Sequence, residues 1–347
     1  MSRTTRASIA VGAVAGAAGL AFGVPRVVAK RLRKRPDGSA SHVLDAPIYE
    51  SATIPSHDGG TIHVVTAGTG APIVLSHGVT LSVRTWVRQL ETLPAEGFRV
   101  VAFDHRGHGS STLGETGFSV DNLGDDIRSV VEGLDLRDAV LVGHSMGGVA
   151  VQSFLIRHPE IAAERVKGVV LLSTLARVPL SGVRAKGARV FIDRLSQLAP
   201  DSTRLWASPN VGFVLARLGF GRDPRPSHVE LVRRMMLECA ADTRRESPRA
   251  LLGLDLTARL PEVRIPTLVI GGSADVITPP AEARRIAELI PGARLEIVPG
   301  GGHMLMLERT ELIDYFITEF AREVGAVASA NPSAANPSAS KPPAARG

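Results

Sequence analysis

The chain has 347 residues, 44% of them hydrophobic, and a formal net charge of +6. This length allows one large core with an insertion and tails, and the single Cys239 excludes an intramolecular disulfide and a cysteine-based zinc site. Residues 1–40 hold eight basic residues against one acidic residue, and residues 176–258 hold fourteen against eight, so the remaining body is acidic. A nucleic-acid groove needs basic residues near its site, so we expect no nucleic-acid partner.

The N-terminal segment, residues 1–40, combines an uncharged stretch rich in Gly and Ala with a basic cluster that starts at Arg26. As a helix, residues 9–24 would span ~24 Å, which is shorter than the ~30 Å hydrocarbon core of a bilayer. A secretory signal cleaved after Ala29 is the alternative. Because basic residues favour the cytoplasmic side, we expect an uncleaved anchor that leaves the rest of the chain cytoplasmic, against anionic lipid. A cytoplasmic or a secreted protein remains an alternative.

From Ser51 onwards the hydrophobic pattern alternates between strand and helix. Residues 51–55 and 61–66 flank Asp58-Gly59-Gly60, which is a hairpin signal. Apolar, β-branched runs predict further strands at 72–76, 99–104, 139–142, 165–172, 266–271 and 294–298. Helical spacing predicts helices near 84–93, 120–134, 148–155, 279–289 and 311–323. This alternation favours an α/β fold with a mostly parallel sheet.

The alternation is interrupted between residues 176 and 258, where apolar residues at helical spacing with several prolines predict an all-α insertion. The α/β core therefore comprises residues 41–175 and 259–325. Residues 326–347 are rich in Ala, Pro and Ser, repeat Ala-Asn-Pro-Ser-Ala, and predict a disordered tail.

The pentapeptide Gly143-His144-Ser145-Met146-Gly147 lies between a predicted strand and a predicted helix. A G-x-S-x-G motif in this context forms a sharp turn that exposes the serine hydroxyl at the top of a sheet. Without that context, the motif is equally typical of a glycine-rich turn with no chemistry.

Several motifs in order along the chain resemble the α/β-hydrolase superfamily, in its serine-nucleophile esterase, lipase and perhydrolase branch. They are His77-Gly78, Asp104-His105-Arg106-Gly107-His108-Gly109-Ser110, Gly143 to Gly148, Gly272-Ser273-Ala274-Asp275 and Gly301-Gly302-His303. The resemblance implies an α/β-hydrolase fold, with a mostly parallel eight-stranded sheet flanked by helices and an α-helical cap at residues 176–258. It also implies that the Asp104 to Ser110 block is a structural turn that braces the nucleophile loop.

The resemblance further implies a catalytic triad. A serine hydroxyl needs a neighbouring base, and the base needs an acid that orients it. In this family the order is Ser, acid, His, which corresponds to Ser145, Asp275 and His303. The strand after the motif ends in Ser173-Thr174, so the alternative position for the acid has no carboxylate.

An oxyanion intermediate needs two fixed N–H donors, which we expect to be the backbone N–H groups of Val79 and Met146. His77, Gly78 and His144 are candidate substrate contacts. Candidates for an apolar acyl pocket in the insertion, about half of which we expect to be core, are Phe191, Leu195, Trp206, Phe213, Leu218, Phe220, Met235 and Met236.

The sequence therefore predicts a serine hydrolase that cleaves small-molecule carboxylic esters with apolar acyl groups, without metal or organic cofactor. A perhydrolase or haloperoxidase-like enzyme and a carbon–carbon bond hydrolase use the same triad and remain alternatives. Epoxide hydrolases and haloalkane dehalogenases need a carboxylate nucleophile, which Ser145 does not supply. A non-catalytic binding protein is disfavoured by the complete set of catalytic residues.

Overall fold

The computed structural model describes residues 24–38, 43–44, 49–178 and 203–326. Residues 9–23 of the predicted anchor lie outside the described residues. The same holds for residues 327–347 of the predicted tail and for residues 179–202 of the predicted insertion, with Phe191 and Leu195. No helix in the described ranges is long and apolar enough to cross a membrane.

One sheet of eight strands organises the described part of the chain. The strands are β1 (Glu50–Pro55), β2 (Thr61–Ala67), β3 (Ala71–Ser76), β4 (Phe98–Phe103), β5 (Ala139–His144), β6 (Val166–Leu172), β7 (Thr267–Gly272) and β8 (Arg294–Val298). Their order is β1-β2-β4-β3-β5-β6-β7-β8. The pairs β1–β2 and β2–β4 are antiparallel, and the other neighbours are parallel. The predicted mostly parallel, eight-stranded α/β fold is confirmed.

Helices cover both faces of this sheet. Those of the described ranges are α1 (Val24–Arg33), α2 (Val87–Thr92), α3 (Val120–Gly133), α4 (Met146–Arg157), α5 (Pro159–Arg165), α6 (Thr203–Ala207), α7 (Val211–Arg217), α8 (Pro226–Glu238), α9 (Ala241–Ala250), α10 (Pro280–Leu289), α11 (Leu305–Glu308) and α12 (Thr310–Glu323). The helix predicted at 84–93 is broken into α2 and two flanking 3₁₀ turns, at Val83–Trp86 and Leu93–Glu96.

The central strand β5 is buried along its whole length, which explains its continuous apolar sequence. Because successive side chains of a strand point to opposite faces, Val140 and Val142 pack with α2 and α12, whereas Leu141 packs with α3 and α4. The carboxyl end of β5 therefore leads into α4 from the middle of the molecule, between two hydrophobic layers.

The helical insertion, defined here as α6 to α9, lies between β6 and β7. Its side chains Phe213, Val232 and Met235 are buried in the same hydrophobic cluster as Leu305 and Met306 of α11. The insertion is thus packed onto the core close to the segment that carries His303. Phe220 is also buried, Trp206 and Met236 are partly buried, and Leu218 is 60% exposed.

Helix α1 and the residues after it pack against this insertion. Ala29 is fully buried, and the Arg33 guanidinium lies 4.4 Å from the centre of the Phe213 ring. Arg35 forms an ion pair of 3.1 Å with Asp223, and the Ser227 hydroxyl donates to Asp37. Part of the predicted N-terminal segment is therefore in contact with the folded body, an arrangement that its composition did not reveal.

Candidate active site

The turn between β5 and α4 places Ser145 in a strained backbone conformation, with φ 53° and ψ −118°. The glycines on either side of Ser145 are needed because neighbouring atoms leave no space for a Cβ atom at their positions. A Cβ atom at Gly147 would lie 2.2 Å from the Ser76 carbonyl oxygen, and one at Gly143 would lie 2.6 Å from the Gly147 carbonyl oxygen. The motif predicted from sequence therefore forms a tight strand-to-helix turn, and backbone contacts alone dictate its glycines.

The carbonyl group of Ser145 is held on three sides. The N–H groups of Gly148 and Val149 donate to it over 2.9 and 3.1 Å, and the Thr174 hydroxyl donates to it over 2.7 Å. In the sequence, Thr174 indicates only that the strand after the motif ends without a carboxylate. Its hydroxyl joins the end of β6 to the serine turn, a role that no sequence motif indicates.

Asp275 and His303 form a buried pair beside this turn. The Nδ1 atom of His303 lies 2.9 Å from Oδ2 of Asp275, so the ring can donate its Nδ1 proton to the carboxylate. The Thr278 hydroxyl donates to the same Oδ2 over 2.7 Å and lies 3.1 Å from His303 Nδ1. The N–H groups of Ile277 and Thr278 donate to Oδ1. Asp275 thus caps its own turn and also orients the imidazole.

Burial acts to raise the pKa of Asp275, but the hydrogen bonds from His303 and Thr278 outweigh it and hold the pKa below its usual value. The carboxylate is therefore charged at neutral pH. A charged carboxylate on Nδ1 fixes the tautomer in which Nε2 of His303 is free to accept a proton.

The segment that carries His303, defined here as the base loop (residues 300–304), packs against the serine turn. The carbonyl of His303 accepts a hydrogen bond from His144 Nε2 over 3.0 Å, and the two imidazole rings lie 4.8 Å apart. His303 is thereby fixed to the residue next to Ser145. No hydrogen bond joins the Ser145 hydroxyl to His303 among the described residues, and such bonds often tighten only when substrate binds.

The oxyanion loop, defined here as residues 77–80, approaches the turn from the other side. A Cβ atom at Gly78 would lie 2.9 Å from Nδ1 of His144 and 3.2 Å from Cβ of Ser145. The backbone N–H groups of Val79 and Met146 donate no hydrogen bond within the described residues, and Met146 begins α4, where N–H groups have no partner inside the helix.

His77 and His144, predicted as substrate contacts, are both fully buried. The His105 N–H donates to Nε2 of His77 over 3.0 Å, and Nδ1 of His77 donates to the Gly78 carbonyl over 2.7 Å. His144 likewise uses its Nε2 on the base loop. Burial lowers the pKa of both rings, so both are neutral and support the backbone around the site.

The block from Asp104 to Ser110 is a turn that braces the oxyanion loop, whereas the resemblance implied a turn that braces the nucleophile loop. The carboxylate of Asp104 accepts the Val83 N–H over 2.8 Å, and Nε2 of His108 accepts the Thr80 N–H over 3.0 Å. His105 contacts the Ser76 hydroxyl at 2.8 Å. Burial lowers the pKa of His105 well below its ordinary value of 6.5, and it lowers the pKa of His108 from 6.5 to about 3. These histidines are therefore neutral structural groups.

Among the residues that the structure describes, no cluster of three or more His, Cys, Asp or Glu side chains is arranged to hold a metal ion. What the geometry does bring together is a strained, partly exposed serine, a carboxylate-oriented imidazole and two free N–H groups. This arrangement is suited to nucleophilic attack on a carbonyl group.

The fold and this arrangement of residues define an α/β enzyme with a serine nucleophile turn, and comparison with known proteins gives its family. A family model described as the alpha/beta hydrolase fold matches residues 71–310. The chain therefore belongs to the α/β-hydrolase family and is a hydrolase, as the sequence predicted.

Individual relatives support the same assignment. A non-heme chloroperoxidase of Kitasatospora aureofaciens is 30% identical over 72% of this chain and 90% of its own length. A bifunctional esterase/perhydrolase of Acinetobacter calcoaceticus is 31% identical over 73% of this chain and 92% of its own. The solved structure of a thermophilic esterase from Thermogutta terrifontis is 27% identical and has a TM-score of 0.66, covering 79% of this chain and 99% of that one.

Proposed function

We propose that the protein is a serine hydrolase that cleaves carboxylic esters, with Ser145 as nucleophile, His303 as base and Asp275 as the acid that orients it. The observation that carries this proposal is the 2.9 Å contact between His303 Nδ1 and the Asp275 carboxylate, beside a serine in a strained strand-to-helix turn. Relatives described as esterases agree with this activity.

In the first half-reaction, Ser145 Oγ forms a bond to the ester carbonyl carbon while His303 Nε2 takes the hydroxyl proton. The tetrahedral intermediate collapses as the carbon–oxygen bond to the alcohol breaks and His303 gives its proton to the leaving oxygen. In the second half-reaction, water attacks the acyl-enzyme, His303 takes a proton from the water and returns it to Ser145, and the carboxylic acid leaves. Asp275 stabilises the imidazolium at each stage.

The N–H groups of Val79 and Met146 are proposed to bind the oxyanion of both intermediates. Each such donor is worth about 3 kcal/mol in enzymes where one has been removed. Their free N–H groups and the packing of Gly78 against Ser145 support this role. His77, Gly78 and His144 then act by positioning this backbone rather than by touching substrate, since both rings are buried and hydrogen bonded to backbone.

For the acyl group we propose an apolar substrate that lies under the helical insertion, which would serve as a cap. Met236 is the best-placed candidate, because its sulfur contacts the Thr80 hydroxyl in the oxyanion loop. Phe213, Phe220 and Met235 are buried in the hydrophobic core and are packing residues rather than pocket walls.

A cofactor-free perhydrolase is the second candidate, in which hydrogen peroxide takes the place of water at the acyl-enzyme and a peroxy acid is released. The relatives described as non-heme chloroperoxidases and as an esterase/perhydrolase favour it. Both activities need the same acyl-enzyme, so they differ in the second nucleophile alone.

The proposal is tested by hydrolysis of p-nitrophenyl esters of increasing acyl length, with and without hydrogen peroxide. Ser145→Ala is expected to abolish turnover. Ser153→Ala is the matched control, because Ser153 is a buried serine of α4 whose hydroxyl has no partner among the described residues. A folded Ser145→Ala variant that keeps wild-type activity would refute the proposal, and peroxy acid formation in excess of ester hydrolysis would favour the perhydrolase.

We also propose that the enzyme lies on the cytoplasmic side of a membrane and contacts anionic lipid through α1. Arg33 and Arg35 turn towards the insertion, whereas Arg26, Lys30, Arg31 and Lys34 are exposed and form no ion pair with any described residue. Val27, on the same side, is 68% exposed. Basic side chains at an anionic surface contribute about 1 kcal/mol each.

Flotation with vesicles of phosphatidylcholine, with and without phosphatidylserine, tests this contact. The full chain is expected to bind the phosphatidylserine vesicles more tightly at low salt, and replacement of Lys30, Arg31 and Lys34 by Ala is expected to remove the difference. Equal, salt-insensitive binding to both vesicles would contradict the proposal.

A further inference from the structure

The carboxylate of Glu308, the last residue of α11, lies where the base loop meets the helical insertion. It accepts hydrogen bonds from the N–H of Gly221 over 2.7 Å, of Gly302 over 3.1 Å and of Met304 over 3.2 Å. Gly302 and Met304 are the two neighbours of His303. One side chain therefore holds the backbone on both sides of the proposed base and joins it to the insertion.

Backbone contacts at the same place show how closely the two segments approach. A Cβ atom at Gly302 would lie 2.2 Å from the Gly221 nitrogen, and one at Gly221 would lie 2.2 Å from the Gly300 carbonyl oxygen. The N–H groups of His303 and Met304 both donate to the Gly219 carbonyl, over 2.9 and 3.1 Å. The base loop is thus laid directly on the chain that follows α7.

A loop of three consecutive glycines has much conformational freedom, and fixing it needs strong contacts. A carboxylate bonded to N–H groups makes shorter and stronger hydrogen bonds than a neutral acceptor does. Burial raises the pKa of Glu308, although its three N–H partners and Arg309 oppose this effect. Removal of this buried carboxylate would leave three N–H groups without an acceptor, and buried donors without a partner destabilise the protein.

We infer that Glu308 is a positioning residue, which fixes the base loop against the insertion and so keeps His303 in reach of Ser145. The inference rests on the proposed serine hydrolase function. It implies that the insertion and His303 are held in place by the same side chain. Displacing a catalytic group by about 1 Å costs on the order of 100-fold in rate.

The test compares Glu308→Gln and Glu308→Ala with the wild-type full chain in p-nitrophenyl ester hydrolysis. Glutamine keeps the shape but replaces one oxygen by an amide NH2, so either the Gly221 or the Met304 N–H loses its acceptor. We expect kcat to fall roughly 10-fold for Gln and about 100-fold for Ala, with KM changed less than about threefold. Glu311→Gln is the control, because Glu311 is an exposed glutamate on the neighbouring helix α12.

A second measurement separates positioning from loss of fold. The labelling rate of Ser145 by a fluorophosphonate depends on His303 but not on ester binding, so it should fall in parallel with kcat, while circular dichroism and thermal unfolding show that the variants are folded. Gly221→Ala disrupts the same contact from the insertion side. Its effect on kcat in a folded protein should therefore be less than additive with that of Glu308→Gln.

A folded Glu308→Gln and a folded Glu308→Ala that both keep kcat and labelling rate within twofold of wild type would overturn the inference and leave the proposed function intact. A wild-type protein that neither hydrolyses esters nor is labelled at Ser145 would refute the proposed function itself, and this inference with it.

Discussion

The serine turn and the base loop each present one residue of the proposed triad, but they are held by different means. Around Ser145 the main restraint is steric, because any side chain at Gly143 or Gly147 would collide with backbone atoms, and the three hydrogen bonds to the Ser145 carbonyl add to it. Around His303 the glycines also pack closely on Gly221, but the position of the base loop depends in addition on hydrogen-bond acceptors in other segments: Glu308 and the Gly219 carbonyl accept from the backbone, and Asp275 accepts from the ring.

This difference has a physical consequence. A steric restraint resides in a few residues close together in the chain, so one added methyl group disrupts the whole turn. A hydrogen-bonded restraint is spread over several elements, so single substitutions weaken it in steps. We therefore expect substitutions of the glycines in the serine turn to act mainly on folding, and substitutions around the base loop to act mainly on rate.

After the loss of the nucleophile in Ser145→Ala, the largest expected effect on rate is that of Asp275→Asn. The amide cannot stabilise the imidazolium and can donate to His303 Nδ1, which favours the wrong tautomer; the corresponding change costs roughly 10⁴-fold in kcat in serine proteases. We expect a loss of about 10³- to 10⁴-fold in ester hydrolysis. Asp314→Asn is the control, because Asp314 accepts hydrogen bonds from Gln89 and Thr92 away from the site. Equal losses in both variants would show that Asp275 acts on the fold alone.

The steric restraint is tested by Gly147→Ala. The added Cβ atom would lie 2.2 Å from the Ser76 carbonyl oxygen, and neither backbone segment can move without disturbing β3 or α4. We expect the free energy of unfolding to fall by more than about 3 kcal/mol, measured by urea denaturation. Gly38→Ala, at a position with open space around it, should change it by less than about 0.5 kcal/mol. A Gly147→Ala protein as stable as wild type would contradict the steric explanation.

A third restraint, on the oxyanion loop, depends on a neutral ring and should respond to acid. The folded pKa of His108 is about 3 and its ordinary value is 6.5, so the unfolded chain binds a proton at a pH where the folded one does not. Its contribution is fully present above pH 6.5 and is lost as the pH falls towards 3, at about 1.4 kcal/mol per pH unit.

The measurement is the slope of unfolding free energy against pH between 6.5 and 5 for wild type and His108→Gln. The variant should have the shallower slope, by about 1 kcal/mol per pH unit averaged over this range, whatever its absolute stability. Between pH 7.5 and 8.5 the two slopes should agree, which serves as the internal control. Identical slopes in the acidic range would mean that His108 titrates normally in the folded protein.

The same contrast explains which parts of the molecule could be predicted from sequence. The serine turn was recognisable because its restraint is local and is recorded in two glycines four residues apart, Gly143 and Gly147, and the strands were recognisable from their apolar runs. Thr174, Thr278 and Glu308 were not predicted, because each acts through a hydrogen bond that only the folded chain brings together. Gly301 and Gly302, directly before His303, pack tightly against Leu305 and Gly221, and no sequence motif indicates these contacts.

Helix α1 illustrates the same limit. The basic residues of α1 and of the two positions after it were visible in the sequence, but nothing in their composition distinguishes those that face the insertion, such as Arg33 and Arg35, from those that face outwards. That distinction depends on which side of the helix meets Phe213. Tertiary packing therefore decides which charges are available to a partner.

The smallest expected effect is that of Thr278→Val, which removes a single hydroxyl group without changing the shape of the side chain. That hydroxyl donates to Asp275 Oδ2 and lies 3.1 Å from His303 Nδ1, so it helps to fix both members of the pair. The backbone N–H of residue 278, which also holds the carboxylate, is retained.

We expect kcat to fall about fivefold, equivalent to ~1 kcal/mol, with KM unchanged, because one hydrogen bond of four to Asp275 is lost. Thr318→Val removes a buried hydroxyl that bonds to the Tyr315 carbonyl and should leave kcat as it is. A loss as large as that of Asp275→Asn would mean that the hydroxyl, rather than the carboxylate, fixes the tautomer of His303.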